Sequence, residues 1–253
     1  WMTICIVSPT EKHMPPVNPP PNRLDAVKPM FSARAALLML VAVIGGALAA
    51  AIVLPLWAPT LSESLLGPEP KAYWYLARSA GLAGYLLLWF SVAFGLLISN
   101  RLARAWPGGP AAVDLHQFAS LVGIAYGLFH ALILLGDRYL SYTLWQLVIP
   151  FGSADYRRVE VALGQIGFYL MAAVTLSFYV RQRIGYRAWR LLHYASFAVY
   201  SLVLAHGILA GTDASALPVQ VMYIGTGAIV LFLTFYRILT AMNRPRPAAR
   251  ETA

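Results

Sequence analysis

The stretch GYRAWRLLHYASFAVYSLVLAHG, residues 185–207, is an apolar segment that carries one histidine near each end. These two histidines, His193 and His206, are 13 residues apart. An ionisable side chain inside a lipid-spanning helix is costly, so its presence indicates a functional position. Two such side chains at opposite ends of one segment predict two functional levels within a membrane.

A second apolar stretch, LHQFASLVGIAYGLFHALILLG at residues 115–136, repeats this arrangement with His116 and His130, 14 residues apart. At about 1.5 Å of rise per residue, each helix separates its two imidazoles by roughly 20 Å along its axis. Because the apolar core of a bilayer is about 30 Å thick, two such helices side by side offer one histidine pair near each membrane face. A planar macrocycle between two imidazoles is a bis-histidine haem, and the spacing predicts two of them.

The spacings of 13 and 14 residues are not equivalent around a helix. At about 100° per residue, 14 residues leave two side chains roughly 40° apart, whereas 13 residues leave them about 140° apart. We therefore expect a tilt or a distortion in the segment that carries His193 and His206, or else two macrocycles at different azimuths.

Two other interpretations of these histidines fit less well. A single buried histidine is more often a hydrogen-bonded core residue than a ligand, but four of the five histidines form two matched pairs, and only His13 lies in a polar stretch. A zinc site needs its ligands within a few ångströms of one another, and helix partners roughly 20 Å apart cannot share one ion. The pattern therefore favours haem ligation.

The composition is that of a membrane protein. Hydrophobic residues make up 59% of the 253 residues and charged residues 11%, whereas a soluble domain is about 25% charged. The single cysteine, Cys5, excludes iron–sulfur ligation, a CxxCH haem attachment and a disulfide framework. The basic residues behind the net charge of +9 lie mostly between apolar spans, so they indicate membrane topology and not nucleic-acid binding.

The sequence predicts an all-α membrane protein, a bundle of six transmembrane helices. Residues 1–33 are a Pro-rich tail predicted to be disordered, residues 34–240 the membrane domain, and residues 241–253 a short basic tail. The first span is long enough to cross a bilayer. Its alternative is a cleaved signal peptide, although a signal core has only about 7 to 15 apolar residues. The six predicted spans are 35–57, 75–98, 115–135, 159–180, 189–210 and 217–239.

Lysine and arginine residues alternate between the two sides of this bundle. Fourteen of the 19 lie in the two tails, in the second and fourth loops or at the span ends next to them, whereas four lie in the first, third and fifth loops. The positive-inside rule therefore places both termini in the cytoplasm. The third and fifth spans then run in the same direction, so His116 and His193 share the inner level, and His130 and His206 share the outer level.

Arg78 is the remaining basic residue and lies within the second span, near its outer end. A guanidinium suits a carboxylate, so Arg78 is a candidate contact for an outer haem propionate; snorkelling to the interface is the alternative. Arg190 is the corresponding candidate at the inner level, although a positive-inside loop accounts for most of the arginines there.

Two further features belong to the outer half of the bundle. The segment YLSYTLWQLVIPF, residues 139–151, is too short to span and is rich in aromatic residues, which predicts an interfacial segment that covers the outer cofactor. Gln165 is a polar side chain at membrane depth and is predicted to hydrogen-bond between helices.

The third and fifth spans resemble those of the ferric reductase-like transmembrane domain, the membrane core shared by ferric reductases, NADPH oxidases and the haem subunit of the methionine sulfoxide reductase system. The resemblance rests on six spans, on LHQ and LFH in the third, and on GYRAWRLLHY followed by VLAHG in the fifth, and it covers about residues 73–240. It implies two b-type haems, one ligated by His116 with His193 and the other by His130 with His206.

The resemblance further implies an oxidoreductase subunit of the plasma or inner membrane that transfers electrons outward, to ferric iron or to a periplasmic reductase. About 14 residues follow the sixth span, and the sequence has no Gly-rich dinucleotide loop. We therefore expect a separate donor: a cytoplasmic flavin reductase, free FMN or FAD, or a membrane quinol.

Two functions of other classes remain as alternatives. One is a transporter that relays protons through its histidines, which would need acidic partners at the membrane midplane; Asp114 and Glu160 lie only at span ends. The other is a membrane assembly subunit without haem.

Overall fold

Long apolar helices make up the structure, a computed structural model that describes residues 27–57, 72–137, 142–152 and 156–243. Six helical segments in these ranges are long and apolar enough to cross a membrane. No strand occurs among the described residues. The predicted fold class, an all-α membrane protein with six spans, is therefore confirmed.

The helices lie close to the predicted spans. In chain order they are α1 (Ala33–Leu48), α2 (Leu54–Trp57), α3 (Ala72–Ser99), α4 (Gly109–Ile133), α5 (Leu144–Val148), α6 (Arg158–Ile184), α7 (Tyr186–Tyr194), α8 (Ser196–Ala210) and α9 (Leu217–Met242). A π-helical segment, Ala49–Val53, joins α1 to α2. The first span thus begins with α1, the fifth consists of α7 and α8, and α5 is a short helix between the third and fourth spans.

Local sequence signals set several helix ends. The Ser32 hydroxyl accepts a hydrogen bond from the Ala35 backbone N–H at 3.2 Å and caps the start of α1. Both α4 and α9 have a proline in their first turn, where a backbone N–H has no partner within the helix and its absence costs no hydrogen bond. Gly185 alone separates α6 from α7, and its φ of 82° lies in the left-handed region that favours glycine.

Four spans form the centre of the bundle. The helix α3 packs along α4, and α6 packs along α8, while α9 lies against α3 and α1 against α4. The buried Tyr85 of α3 joins three helices, because its hydroxyl lies 2.5 Å from Thr226 Oγ1 and 3.2 Å from the Tyr200 hydroxyl. These hydrogen bonds satisfy polar groups in the middle of the bundle.

The fifth span is broken between its two histidines. Ala195 separates α7 from α8, and its backbone N–H bonds to Leu192 O at 3.0 Å, three residues back instead of four. The distortion that the 13-residue spacing of His193 and His206 predicted is therefore present.

The segment before α1 contacts the membrane helices. Residues 27–32 have no regular secondary structure. The Met30 N–H donates to Gln117 Oε1 at 2.9 Å, and Arg181 Nη2 donates to Val27 O at 2.6 Å. Most of the two predicted tails, residues 1–26 and 244–253, lies outside the described residues.

Candidate functional site

The four histidines of the third and fifth spans form two pairs. The ring centres of His116 and His193 are 5.9 Å apart, with ring planes at 76°. Those of His130 and His206 are 6.2 Å apart, with ring planes at 75°. The structure thus brings together the residues that the sequence paired, one from α4 and one from the fifth span at each level.

These separations suit an atom between the two rings. A direct hydrogen bond of about 2.9 Å between ring nitrogens would place the ring centres about 5 Å apart. Two imidazoles that bind one first-row metal ion from opposite sides, at about 2.0 to 2.1 Å each, have centres about 6.3 Å apart. The observed separations of 5.9 and 6.2 Å are closer to the second arrangement.

Three of the four imidazoles are held through Nδ1 by a backbone carbonyl. The bonds join His116 to Ser91 O at 2.8 Å, His130 to Ala77 O at 2.6 Å and His206 to Glu160 O at 2.8 Å. Because a carbonyl oxygen only accepts, Nδ1 carries the proton, and Nε2 has its lone pair available for a metal. In the outer pair both histidines have this arrangement, which suits two ligands of one ion.

A glycine makes room beside each of these three rings, four residues after the carbonyl in the same helix. The carbonyl and glycine pairs are Ala77 with Gly81, Ser91 with Gly95, and Glu160 with Gly164. A Cβ at the glycine would lie 3.0 Å from the His130 ring, 3.4 Å from the His116 ring and 2.7 Å from the His206 ring. We call this unit the carbonyl–glycine clamp: the carbonyl fixes Nδ1, and the glycine lets the ring reach it.

The carbonyl–glycine clamp was not predicted from the sequence, although the sequence contains a signal for it. Gly81 and Gly95 in α3 are 14 residues apart, as are His116 and His130 in α4. Adjacent antiparallel helices have the same rise per residue. Equal spacings therefore place Gly81 beside His130 at one level and Gly95 beside His116 at the other.

His193 is held differently. Its ring makes no hydrogen bond within the described part of the chain. Instead it stacks on Trp189 of the same helix, with ring centres 5.1 Å apart and planes at 26°. The inner pair therefore combines one clamped histidine with one that only stacks.

An apolar cavity of about 450 Å³ adjoins the outer histidine pair, a volume within the usual range for small-molecule sites. Both histidines of that pair line it, and so do glycines from four helices, where a flat group can approach the backbone closely. The helical glycines are Gly81, Gly84, Gly123, Gly127, Gly164 and Gly207, and Gly211 follows α8.

The short helix α5 covers this cavity from one side, with Leu147 and Val148 in its wall. Gln165 Nε2 donates to the carbonyls of Gln146 at 2.7 Å and Leu147 at 2.9 Å. The Tyr169 hydroxyl donates to Val148 O. The predicted interhelical hydrogen bond of Gln165 is therefore present, and it secures α5 over the outer pair.

The two predicted arginines differ in their surroundings. Arg78 lines the outer cavity and forms an ion pair with Asp213, a partner that no sequence pattern indicated. Arg190 donates to the Tyr194 hydroxyl at 3.0 Å and lies 5.3 Å from the Tyr186 ring centre, both in its own helix. The structure thus places Arg78 at the outer site, whereas these contacts of Arg190 stay within α7.

The donor set fits a macrocyclic metal cofactor. Within the described ranges, no group of three or more His, Cys, Asp or Glu side chains could hold a metal ion, whereas a structural zinc site has about four protein ligands. Each histidine pair offers only two imidazole ligands to one ion. A haem supplies the four in its own plane, so the residues present fit haem and disfavour zinc.

Comparison of the chain with protein-family models, curated proteins and solved structures finds no match. The resemblance to the ferric reductase-like transmembrane domain therefore stays a prediction. The functional argument rests on the geometry of the two histidine pairs.

Alanine in place of the clamp glycines should lower cofactor content in a graded way. Gly164→Ala should have the largest effect, because the new Cβ would lie 2.7 Å from the His206 ring, and Gly81→Ala follows at 3.0 Å from the His130 ring. Gly95→Ala should change the haem content little, because 3.4 Å from the His116 ring is an ordinary contact. The measurement is the ratio of bound haem to purified protein.

Gly227→Ala is the matched control, because it makes the same change in a transmembrane helix with nothing within 4 Å of the new Cβ. Equal haem content in Gly164→Ala and Gly227→Ala would show that the clamp does not position the histidine.

Proposed function

We propose that the protein is a transmembrane cytochrome that binds two b-type haems and transfers electrons across the membrane. The observation that carries the proposal is the presence of two histidine pairs in one bundle, with ring centres 5.9 and 6.2 Å apart. A haem iron held between two imidazoles accepts and releases one electron at a time.

The chain's own residues prepare each site. The carbonyls of Ala77, Ser91 and Glu160 orient three imidazoles, and such a bond also makes Nε2 a stronger donor to a metal. At the outer level, both histidines line an apolar cavity that α5 covers from one side. Arg78 lies in the wall of that cavity and pairs with Asp213 through Nη2; its Nε has no hydrogen-bond partner among the described residues and would be the group that meets a carboxylate of the cofactor.

The orientation we propose places both termini in the cytoplasm. Arginines concentrate at the ends of the spans on that side, as the positive-inside rule requires: Arg101, Arg104, Arg181, Arg183, Arg187 and Arg237. His116 and His193 then form the inner pair, and His130 and His206 the outer pair. With the cytoplasm negative, an electron that moves outward gains about 2.3 kcal/mol per 100 mV.

The donor we propose is a separate molecule: a reduced flavin, a flavoprotein or a membrane quinol. The printed sequence contains no Gly-rich dinucleotide loop between a strand and a helix. Electrons would leave the outer pair for ferric iron or a periplasmic reductase, which makes the protein an oxidoreductase subunit of the plasma or inner membrane.

The acidic residues weigh against a proton relay through the histidines. Those in the described ranges are Asp114, Asp137, Glu160 and Asp213, and each lies near the end of a span or in a connection. Asp213 is already paired with Arg78. A relay needs acidic groups at membrane depth, so electron transfer accounts better for four histidines without them.

Purified protein should contain two non-covalently bound b-type haems per chain, one for each histidine pair. A haem assay against protein concentration measures the ratio, and the spectrum of the reduced form identifies the haem type. Ferric protein should show strongly anisotropic low-spin resonance signals, since the paired ring planes are near perpendicular at 76° and 75°. Colourless protein from haem-replete cells would refute the proposal and favour the transporter or the assembly subunit.

Alanine substitutions should group the four histidines by level. His116→Ala and His193→Ala should alter the same haem, and His130→Ala and His206→Ala the other, because the rings meet in these pairs. Potentiometric titration followed by absorption resolves the two haems, and Gly227→Ala should leave both unchanged. Different haems altered by His116→Ala and His193→Ala would mean that the pairing is wrong.

NADPH alone should not reduce the haems of residues 1–253 at a useful rate, whereas a flavin reductase with free FMN should. Cationic residues at the inner ends of the spans attract an anionic flavin phosphate. The rate should therefore fall as the salt concentration rises beyond about 0.1 M, where the Debye length is about 10 Å. Flavin-free reduction by NADPH in a preparation without a second protein would contradict this prediction.

A further inference from the structure

The two histidines of the inner pair are held unequally. His116 Nδ1 lies 2.8 Å from Ser91 O and 3.1 Å from the Ser91 hydroxyl, which is 2.6 Å from Ser120 Oγ. The Ser120 hydroxyl donates in turn to His116 O at 2.7 Å. The ring of His193 makes no hydrogen bond to any described residue. Loss of such a supporting bond typically weakens a metal site about 10- to 100-fold.

The helix that carries His193 is also less anchored. Trp189 belongs to α7 as well and lies against Phe178 of α6, with ring centres 6.5 Å apart, so His193 is held by ring contacts and not by a hydrogen bond to a described residue. None of the nine residues of α7 is fully buried: Leu192 packs against the core of the bundle, whereas Leu191 and Tyr194 are 75% and 56% exposed. In α4, by contrast, Ile124 is 2% exposed. An element with few buried contacts opens at a low cost in free energy.

The break at Ala195 separates the inner histidine of the fifth span from the outer one. Regular helical hydrogen bonding is interrupted there, which places a flexible point of the fifth span between His193 and His206. His206 in α8 remains clamped by Glu160 O at 2.8 Å. Movement of His193 therefore leaves the outer pair intact.

We propose that His193 is an exchangeable ligand and that the inner iron takes a small neutral diatomic molecule, such as carbon monoxide, in its place. This inference rests on the proposed function, because the iron is that of the haem between His116 and His193. In the exchange the bond from His193 Nε2 to ferrous iron breaks and a bond from the diatomic molecule to the iron forms, without transfer of an electron or a proton. The outer iron, between two clamped histidines, does not exchange.

The test is carbon monoxide binding to the reduced full chain in detergent, followed by absorption. About one carbon monoxide should bind per two haems, at a rate that levels off with gas concentration because release of His193 limits it. In His193→Ala the same haem should bind at a rate proportional to gas concentration. Two haems per chain without any carbon monoxide binding would overturn the inference and leave the proposed function intact; absence of haem would overturn both.

Two double variants identify the haem that binds. The chain with His130→Ala and His206→Ala has only the inner pair and should bind one carbon monoxide per haem. The chain with His116→Ala and His193→Ala has only the outer pair and should bind none. The reverse result would refute the assignment to His193. If either double variant lacks haem, the assignment is decided by two other measurements: the number of carbon monoxide molecules bound per haem, and the dependence of the binding rate on gas concentration, in the native chain and in His193→Ala.

Discussion

The hydrogen bond from histidine Nδ1 to a backbone carbonyl is the interaction on which the rest of the site depends. An imidazole in a lipid-spanning bundle must satisfy its N–H group without water, and the carbonyls of Ala77, Ser91 and Glu160 do so for three rings. The same bond determines which nitrogen retains a lone pair. One local contact thus makes a buried histidine tolerable and also leaves its Nε2 lone pair available to a metal.

This contact explains the helix arrangement. Each histidine-bearing span packs against the span that precedes it, α4 against α3 and α8 against α6. Glycine four residues after the carbonyl leaves room for the imidazole: a Cβ would lie 2.7 Å from the His206 ring and 3.0 Å from the His130 ring, but 3.4 Å, an ordinary contact, from the His116 ring. The rule applies at both levels of the α3 and α4 pair, where all spacings are 14 residues, and at the outer level of the other pair. The rule does not apply to His193, which the break at Ala195 separates from His206. The inner level is therefore the less rigid of the two.

Much of this architecture could be predicted from the sequence. The six spans follow from long apolar segments, and the two histidine pairs follow from the matched spacings of 14 and 13 residues. The position of the break at Ala195 could not be predicted, since its neighbours include no proline and only the azimuth of the histidines required a distortion. The partner of Arg78 was also beyond prediction, because Asp213 is 135 residues away in a connection. The contacts of the Arg190 side chain depend on the rotation of α7 about its axis, which the sequence does not specify.

The most direct measurement of the central claim is an electron cryomicroscopy map of the protein purified from haem-replete cells. The account predicts planar density between the rings of each histidine pair, with a strong central peak within bonding distance of Nε2 of His116 and His193 at one level and of His130 and His206 at the other. A map in which the paired rings contact each other directly, or are separated only by water, would contradict it.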